Sequence, residues 1–343
     1  MTSSAEPVRV ALLGYGLAGR LIHRPLVQSV DGLVVSHVVT SDNQRRAQAC
    51  ADVPLAQVLA TADELWSRSR EFDAVVVATG NAVHVEHAAT ALRLGRPVVV
   101  DKPVALTAQA AAGLVALAGQ TGTALTVFHN RRWDSDTLTA ARLMSSGRLG
   151  QVHRLESRFT RFRPLVADRW RERPGSGGIL LDLGTHLVDQ AVHLMGPVTS
   201  VHADVATRRQ GALVDDDCML ELTHFGGARS TLWASAAAPW PGPRLVLQGS
   251  KAGWVKHDLD GQEQAQRDAV PTPPEPPGTL WDHDGPHPLP SLPGDWAAFY
   301  RLWRDALTVG APLPVEASDA VEVLRVLEAA RESCDGGEVV TLS

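Results

Sequence analysis

The first third of the chain alternates short apolar runs with segments of helical periodicity. The runs include VRVALLG, LVVSHVVTS, FDAVVVATG and RPVVVDKP, and helix-like segments of about 10 to 15 residues separate them. Strands that are joined through helices lie parallel, because each right-handed crossover returns the next strand to the same direction. This part of the chain therefore predicts a doubly wound, mostly parallel sheet of the Rossmann type.

Beyond residue 125 the pattern changes to stretches in which apolar and polar residues alternate, such as DCMLELTHFGG and RLVLQGS. Alternation of this kind favours an antiparallel sheet with one covered face. We therefore predict an α/β protein with two domains, residues 1–125 and 126–343, the second with a large open mixed or antiparallel sheet. We expect the last helix to pack back on the first domain. Residues 262–294, rich in proline and glycine, predict a long loop.

Composition excludes several classes of function. The 343 residues carry a formal net charge of -6, without basic runs or apolar segments long enough for a membrane span, so neither nucleic acid nor membrane is an expected partner. The N-terminal residues lack the pattern of a signal peptide, and the cytoplasm is the expected location. Three cysteines without a CxxC motif suggest neither disulfides nor a zinc site.

A glycine motif follows the first predicted strand. Gly14, Gly16 and Gly19 form G-x-G-x-x-G, with Leu17 and Ala18 between the last two. The first glycine permits a tight turn, the second a close approach of a pyrophosphate, and the third helix-to-strand packing. Because the motif lies between a predicted strand and a predicted helix, it indicates a dinucleotide-binding site.

The residues after the second strand bear on the choice of dinucleotide. Thr40 and Ser41 occupy the strand end, Asp42 follows, and Arg45 and Arg46 open the next helix. Small hydroxyls with nearby arginines accommodate a 2′-phosphate, whereas a carboxylate at the strand end would repel it. This pattern favours NADP, with NAD possible. The alternative is that both arginines are solvated on a helix surface.

A third motif lies in the second half, in the segment GGILLDLGTHLVDQAVHLMG. Asp182, His186, Asp189 and His193 would share one face of a helix. An acid and an imidazole one turn apart can serve as a proton acceptor and its partner. Two alternatives stay open: a metal site, for which no second ligand cluster is evident, and a structural role with Asp182 as the N-cap and His186 in the core.

Lys102, one of only three lysines in the chain, lies in the segment VVVDKPVALT at the end of a predicted strand. A loop lysine is most often a solvated surface charge. The carboxyl ends of parallel strands, however, are where α/β proteins bind ligands. Lys102 is therefore a candidate for a catalytic role.

Taken together and in this order, the glycine motif, ATGNAVHVEHA, Asp101-Lys102-Pro103 and Asp182-x-x-x-His186 resemble the glucose-fructose oxidoreductase, inositol dehydrogenase and MocA family. The resemblance covers essentially the whole chain. FHNRRWDSDTLT and LDLGTHLVDQAVHLMG look most like NADP-dependent scyllo-inositol dehydrogenases. The family usually has glutamate at the position of Asp101 and proline at that of Gly80.

The resemblance implies an NAD(P)-dependent oxidoreductase that acts on a secondary hydroxyl or ketone of a cyclitol or sugar. It implies His186 as general base, Asp182 as a hydrogen-bond partner of the substrate hydroxyl, and Lys102 as a charge near the developing alkoxide. It also implies a cis Lys102-Pro103 peptide. The residues implied to lie beside the cofactor are Thr79, Gly80, Asn81, His84, Asp101 and Lys102. Those implied for the substrate are Asn130, Arg131, Trp170, Arg171, Asp182 and His186, and no metal is expected.

Two other functions remain open on the same fold. One is a nucleotide-sensing regulator without catalysis, although such a protein would need only the glycine loop and a surface. The other is a dinucleotide-dependent glycosidase that oxidises its sugar transiently. An open sheet face also predicts self-association, as a homodimer or homotetramer.

Overall fold

The computed structural model describes residues 6–167, 172–175 and 177–342. The chain forms two compact units. The first contains the N-terminal residues up to 130 together with 262–272 and 296–321, and the second contains 131–261, 273–295 and the residues from 322 onward. The sequence predicted one boundary near residue 125, whereas the chain returns to the first unit twice.

The first unit is built on a six-stranded sheet in which every neighbouring pair of strands is parallel. The strand order is β3-β2-β1-β4-β5-β6, the doubly wound arrangement of dinucleotide-binding folds. Its central strands are mostly buried and consist largely of valine, leucine and alanine. The strands are β1 (Val8–Leu13), β2 (Leu33–Val39), β3 (Gln57–Leu59), β4 (Ala74–Val77), β5 (Val98–Asp101) and β6 (Leu125–Phe128). The predicted Rossmann sheet is confirmed.

Helices alternate with these strands. After the glycine motif, a π-helical turn (Gly19–His23) continues as α1 (Arg24–Gln28), and the crossovers that follow are α2 (Asn43–Asp52), α3 (Ala62–Trp66), α4 (His84–Arg93) and α5 (Ala108–Thr121). Two later helices, α8 (Gln262–Asp268) and α9 (Ala297–Val309), also belong to this unit. From α9, Tyr300 reaches the buried ring of His23. The late return of the chain therefore completes the core beside the first helix.

The second unit holds a nine-stranded sheet in the order β14-β13-β12-β11-β7-β10-β9-β8-β15. Only β7 and β10 pair in parallel; the other pairs are antiparallel. The strands are β7 (Val152–Thr160), β8 (Val198–Ala206), β9 (Asp217–His224), β10 (Arg229–Ser235), β11 (Leu245–Gly249), β12 (Gly253–Lys256), β13 (Gly278–Asp282), β14 (Gly285–Leu289) and β15 (Val340–Thr341). The predicted mixed, largely antiparallel sheet is confirmed.

Helices of this unit pack against the sheet. They are α6 (Ser135–Ser145), α7 (Thr185–Met195), which follows a π-helical turn (Leu180–Gly184), and most of α10 (Ala317–Gly336). Ser333 of α10 accepts a hydrogen bond from the Ala203 amide of β8 at 3.1 Å. The first residues of α10, up to 321, belong to the first unit and the rest to the second.

The prediction of a long loop over 262–294 is wrong in part. Helix α8 and the hairpin β13–β14 lie within it, and the proline-rich part between them and the residues after β14 are irregular. Gly285, with φ of 103°, takes the left-handed conformation that ends the tight turn after Asp282. Pro286 and Pro288 are tolerated because β14 is an edge strand. A proline lacks the backbone N–H, and on the open side of an edge strand no neighbouring strand needs that donor.

None of the helices in the described part of the chain combines the length and the apolar character that a membrane span requires.

Candidate active site

The glycine motif forms the loop after β1. Gly14 has φ of 96°, and a Cβ there would lie 2.3 Å from the Ala78 carbonyl oxygen. A Cβ at Gly19 would lie 2.0 Å from the Gly14 carbonyl oxygen, whereas at Gly16 its nearest neighbour would be Nη1 of Arg45, at 3.8 Å. Gly14 and Gly19 are therefore required by the fold of the protein itself, and Gly16 is not.

The strand end predicted to select the dinucleotide lies next to this loop. Thr40 is buried at the end of β2, and Ser41 is exposed. The Asp42 carboxylate accepts the Arg45 amide at 2.8 Å, so it caps helix α2. Arg46 donates to the side chain of Asn43, whereas the Arg45 guanidinium lies beside Gly16. The structure thus separates the two arginines, and Arg45 is the one at the glycine loop.

The turn after β4 carries the next group of predicted residues. The hydroxyl oxygen of Thr79 is buried and has no hydrogen-bond partner among the described residues. Gly80 has φ of -72°, the value to which proline is restricted, so glycine in place of the family's proline leaves the backbone path unchanged. Asn81 opens a 3-10 turn and is half-buried. The turn therefore offers polar side chains near the end of a central strand.

His84 is not a surface histidine. It is 1% exposed, and its ring nitrogens lie 2.8 Å from the Pro103 carbonyl oxygen and 3.2 Å from that of Thr79. A neutral imidazole can donate to only one of these oxygens at a time. His84 therefore joins the turn after β4 to the Lys-Pro turn after β5.

The Lys-Pro turn is held by buried polar groups. The Lys102–Pro103 peptide is cis, as predicted. The Asp101 carboxylate accepts the Lys102 amide at 2.8 Å and lies 3.8 Å from Nε2 of His23, whose Nδ1 is 2.6 Å from the Tyr300 hydroxyl. Burial would raise the pKa of Asp101, but His23 and Lys102 hold it below its usual value. Sequence patterns did not single out His23 or Tyr300, which are 277 residues apart.

In the second unit, Asp182 and His186 lie where a π-helical turn becomes helix α7. Asp182 is inside the turn, so the alternative in which it caps the helix is wrong. The amide of Leu180, at the start of the turn, instead donates to the carboxylate of Asp215 at 2.8 Å. His186 is 7% exposed. π-helical turns within helices are frequent at functional sites.

Phe159 of β7 lies close to His186 and contacts two arginine side chains. Its ring centroid lies 6.5 Å from that of His186, and the guanidinium carbons of Arg131 and Arg244 lie over the ring at 4.5 Å and 4.7 Å. Each arginine also pairs with a buried carboxylate at 2.9 Å, Arg131 with Asp134 and Arg244 with Asp136. The structure thus brings Arg131 and His186 to the same aromatic ring. Phe159 and Arg244 carry no motif that would have identified them.

Two further contacts fix α7 to its neighbours. Arg132 donates to both carboxylate oxygens of Asp189, at 2.7 to 3.2 Å. Gln190 accepts the Ser157 hydroxyl at 2.5 Å and donates to Thr137 at 2.7 Å. Asp189 therefore anchors the 3-10 turn that bears Arg131.

The other predicted positions fall as follows. Asn130 is buried in the first unit, at the start of the 3-10 turn. Trp170 and Arg171 lie outside the described residues. The described part of the chain has one group of at least three candidate metal ligands within 4.8 Å of one another, Asp282, His283 and Asp284. Asp182, His186, Asp189 and His193 are not in this group.

Two parts of the chain match families of known proteins. Residues 8–129 match the oxidoreductase family with an NAD-binding Rossmann fold, and residues 137–255 match the GFO/IDH/MocA C-terminal domain. The chain belongs to the Gfo/Idh/MocA family of oxidoreductases. The resemblance inferred from the motifs is confirmed.

Relatives of known name cover nearly the whole chain. It is 33% identical over 345 residues to scyllo-inositol 2-dehydrogenase (NADP(+)) IolW of Bacillus subtilis. This match covers 96% of the present chain and 94% of that protein. It is 37% identical over 340 residues to the oxidoreductase YdgJ of Escherichia coli, with 96% and 97% covered. The solved structure of the Bacillus subtilis oxidoreductase yvaA superposes with a TM-score of 0.93, at 32% identity and with 99% and 100% covered.

The residues of the first unit fit a dinucleotide. The space above Gly16 is not filled by backbone of the protein. The buried hydroxyl of Thr79 has no hydrogen-bond partner among the described residues. The Arg45 guanidinium adds a positive charge beside the glycine loop. Together these groups provide close approach, a polar contact and a charge for a phosphate.

Proposed function

We propose that this protein is an NADP-dependent dehydrogenase or reductase that interconverts a secondary hydroxyl and a ketone of a cyclitol or sugar. Family membership supplies the oxidoreductase class. The observation that carries the catalytic proposal is His186, almost buried beside Phe159 and one turn from Asp182. A pure nucleotide sensor would not need this arrangement in its second unit.

The roles follow from the chemistry. A bound nicotinamide supplies a hydride acceptor or donor. Oxidation of the carbinol requires that the hydroxyl proton leave, and the imidazole of His186 is the proposed acceptor, with Asp182 orienting the hydroxyl. Lys102 is the proposed positive charge against the developing alkoxide. Its ammonium is compact and has three rotatable donors, which the planar guanidinium of arginine does not reproduce.

The proposed preference for NADP rests on Arg45. The Asp42 carboxylate faces the α2 amides, and Thr40 and Ser41 supply small side chains at the strand end. The Arg45 guanidinium lies near Gly16, and its proposed role is to pair with the 2′-phosphate. The relative IolW carries NADP(+) in its name, which supports the same preference here. Proposed cofactor contacts are Gly14, Gly16, Leu17, Ala18, Gly19, Thr40, Ser41, Arg45, Thr79, Gly80, Asn81, His84, Asp101 and Lys102.

A substrate panel tests the proposal. Cyclitols and sugars are incubated with NADP or NAD at matched concentrations, and the absorbance of the reduced nicotinamide is followed. We expect turnover of at least one cyclitol or sugar, faster with NADP. Nucleotide binding without any turnover would support the regulator instead. Release of nitrophenol from a chromogenic glycoside would support the glycosidase.

We also propose that the protein self-associates in the cytoplasm as a homodimer or homotetramer. One face of the nine-stranded sheet carries Met219 and Trp281, whose side chains are 43% and 52% exposed. A partner copy would cover these apolar groups. Light scattering on the purified protein measures the mass; a value of one chain, 36.7 kDa, would contradict the proposal.

A further inference from the structure

A cluster of three side chains, of which Tyr15 is buried and the other two are partly buried, links the glycine loop to helix α2. Tyr15, between the first two glycines of the motif, donates its hydroxyl to the Asp52 carboxylate at 3.0 Å. Arg20, in the π-helical turn, donates to the same carboxylate at 2.6 Å. Tyr15 is 1% exposed and Asp52 is the last residue of α2. The cluster therefore ties the helix end to the loop.

Helix α2 buries few residues of its own. Of its ten residues only Ala49 is buried, so apolar packing contributes little. Asp42 caps the first turn, but that bond lies within the helix and its cap. Asp52, next to the buried Val53, is the side chain that hydrogen-bonds this end of α2 to Tyr15 and Arg20. Arg20 lowers the pKa of Asp52 more than partial burial raises it, which keeps the carboxylate charged at neutral pH.

The loop, in contrast, is fixed independently of this cluster. The Gly14 amide donates to the Val39 carbonyl oxygen at 2.9 Å, and at Gly14 and Gly19 there is no room for a side chain between the backbone segments. Loss of Asp52 would therefore release α2 while the loop keeps its path. The side chain that moves with α2 and reaches the loop is Arg45, in the first turn.

We propose that Asp52, held by Tyr15 and Arg20, is a positioning residue that sets the preference for NADP over NAD by keeping Arg45 beside Gly16. Asp52 itself contacts no nucleotide. The inference rests on the proposed pairing of Arg45 with a 2′-phosphate. It predicts that a change at Asp52 weakens the binding of NADP far more than that of NAD, because only NADP uses Arg45.

A double-mutant cycle tests the proposal by binding alone. The fluorescence of NADPH and NADH is titrated with the unmodified protein, Asp52→Asn, Arg45→Ala and the double variant. We expect Arg45→Ala to lower the affinity ratio of NADPH to NADH roughly tenfold or more. Asp52→Asn should lower the same ratio roughly fivefold, and add nothing in the Arg45→Ala background.

Two controls make the result decisive. Asp73→Asn removes the carboxylate partner of Arg9, a similar pair in the same unit, and should leave the ratio unchanged. Tyr15→Phe removes one hydroxyl with little change in volume and replaces Asp52→Asn if that variant does not fold. Equal affinities of the unmodified protein for both nucleotides would overturn the proposed NADP preference. A clear preference that Asp52→Asn and Tyr15→Phe leave intact, or equal losses for both nucleotides, would overturn the role of Asp52 alone.

Discussion

The two units build their candidate sites by different means. In the first, backbone contacts shape the glycine loop: added Cβ atoms at Gly14 and Gly19 would lie 2.3 Å and 2.0 Å from carbonyl oxygens. In the second, buried side-chain pairs shape the surroundings of His186, and the two arginines over Phe159 each face a carboxylate. A site that is shaped by backbone contacts tolerates only residues of the right size. A site that is shaped by buried ion pairs requires both partners of each pair.

The difference predicts which changes the protein tolerates. Overpacking a backbone turn forces atoms apart locally. Removing one member of a buried ion pair leaves the other charged and without compensation, which costs more than the pair contributes. The second unit should therefore be the more sensitive to a substitution that preserves size.

The largest effect on stability is expected for Asp136→Asn. Arg244 and Asp136 are 3% and 1% exposed, so the isosteric change leaves a buried guanidinium without its counter-charge. We expect a loss of about 3 to 5 kcal/mol in the free energy of unfolding. The matched control is Asp204→Asn, whose pair with Arg208 is half-exposed and should change stability by no more than about 1 kcal/mol. Urea denaturation followed by circular dichroism measures both; equal losses would remove the distinction between the two kinds of pair.

A smaller loss of stability is expected for Gly19→Ala, of about 1 to 3 kcal/mol, because the loop must move to admit the methyl group. Gly16→Ala meets only the end of a flexible arginine and should melt like the unmodified protein. It should nevertheless lower nucleotide affinity by roughly tenfold or more, if a pyrophosphate approaches Gly16. Thermal melting and nucleotide titration of both variants separate the two effects. Normal affinity in Gly16→Ala would show that the glycine has no part in binding.

The sequence predicted the first unit well because its determinants are local. The period of strands and helices, the glycine spacing and the Lys-Pro turn are each written in a few neighbouring residues, and the six-stranded sheet and the loop follow from them. Arg45 could be proposed but not separated from Arg46, since a helix of ten residues without an apolar stripe does not reveal its orientation.

The second unit shows where such prediction ends. The spacing of Asp182 and His186 was recognised, but Phe159 and Arg244 reach the site through pairings of distant strands. His23, Tyr300 and Asp52 were missed in the first unit, because single polar residues in helices have no periodic signal. The hairpin at β13–β14 was hidden by prolines that an edge strand admits.

The central proposal is that Lys102 and His186 are catalytic residues of an oxidoreductase. The most direct test is steady-state turnover of the best substrate from the panel by Lys102→Arg and His186→Ala, with nucleotide affinity measured in parallel. We expect His186→Ala to lower kcat by roughly 10² to 10⁴ with the nucleotide still bound, and Lys102→Arg to lose activity substantially because the charge is kept but its shape is not. Full activity in Lys102→Arg would make Lys102 a solvated surface charge and contradict the account.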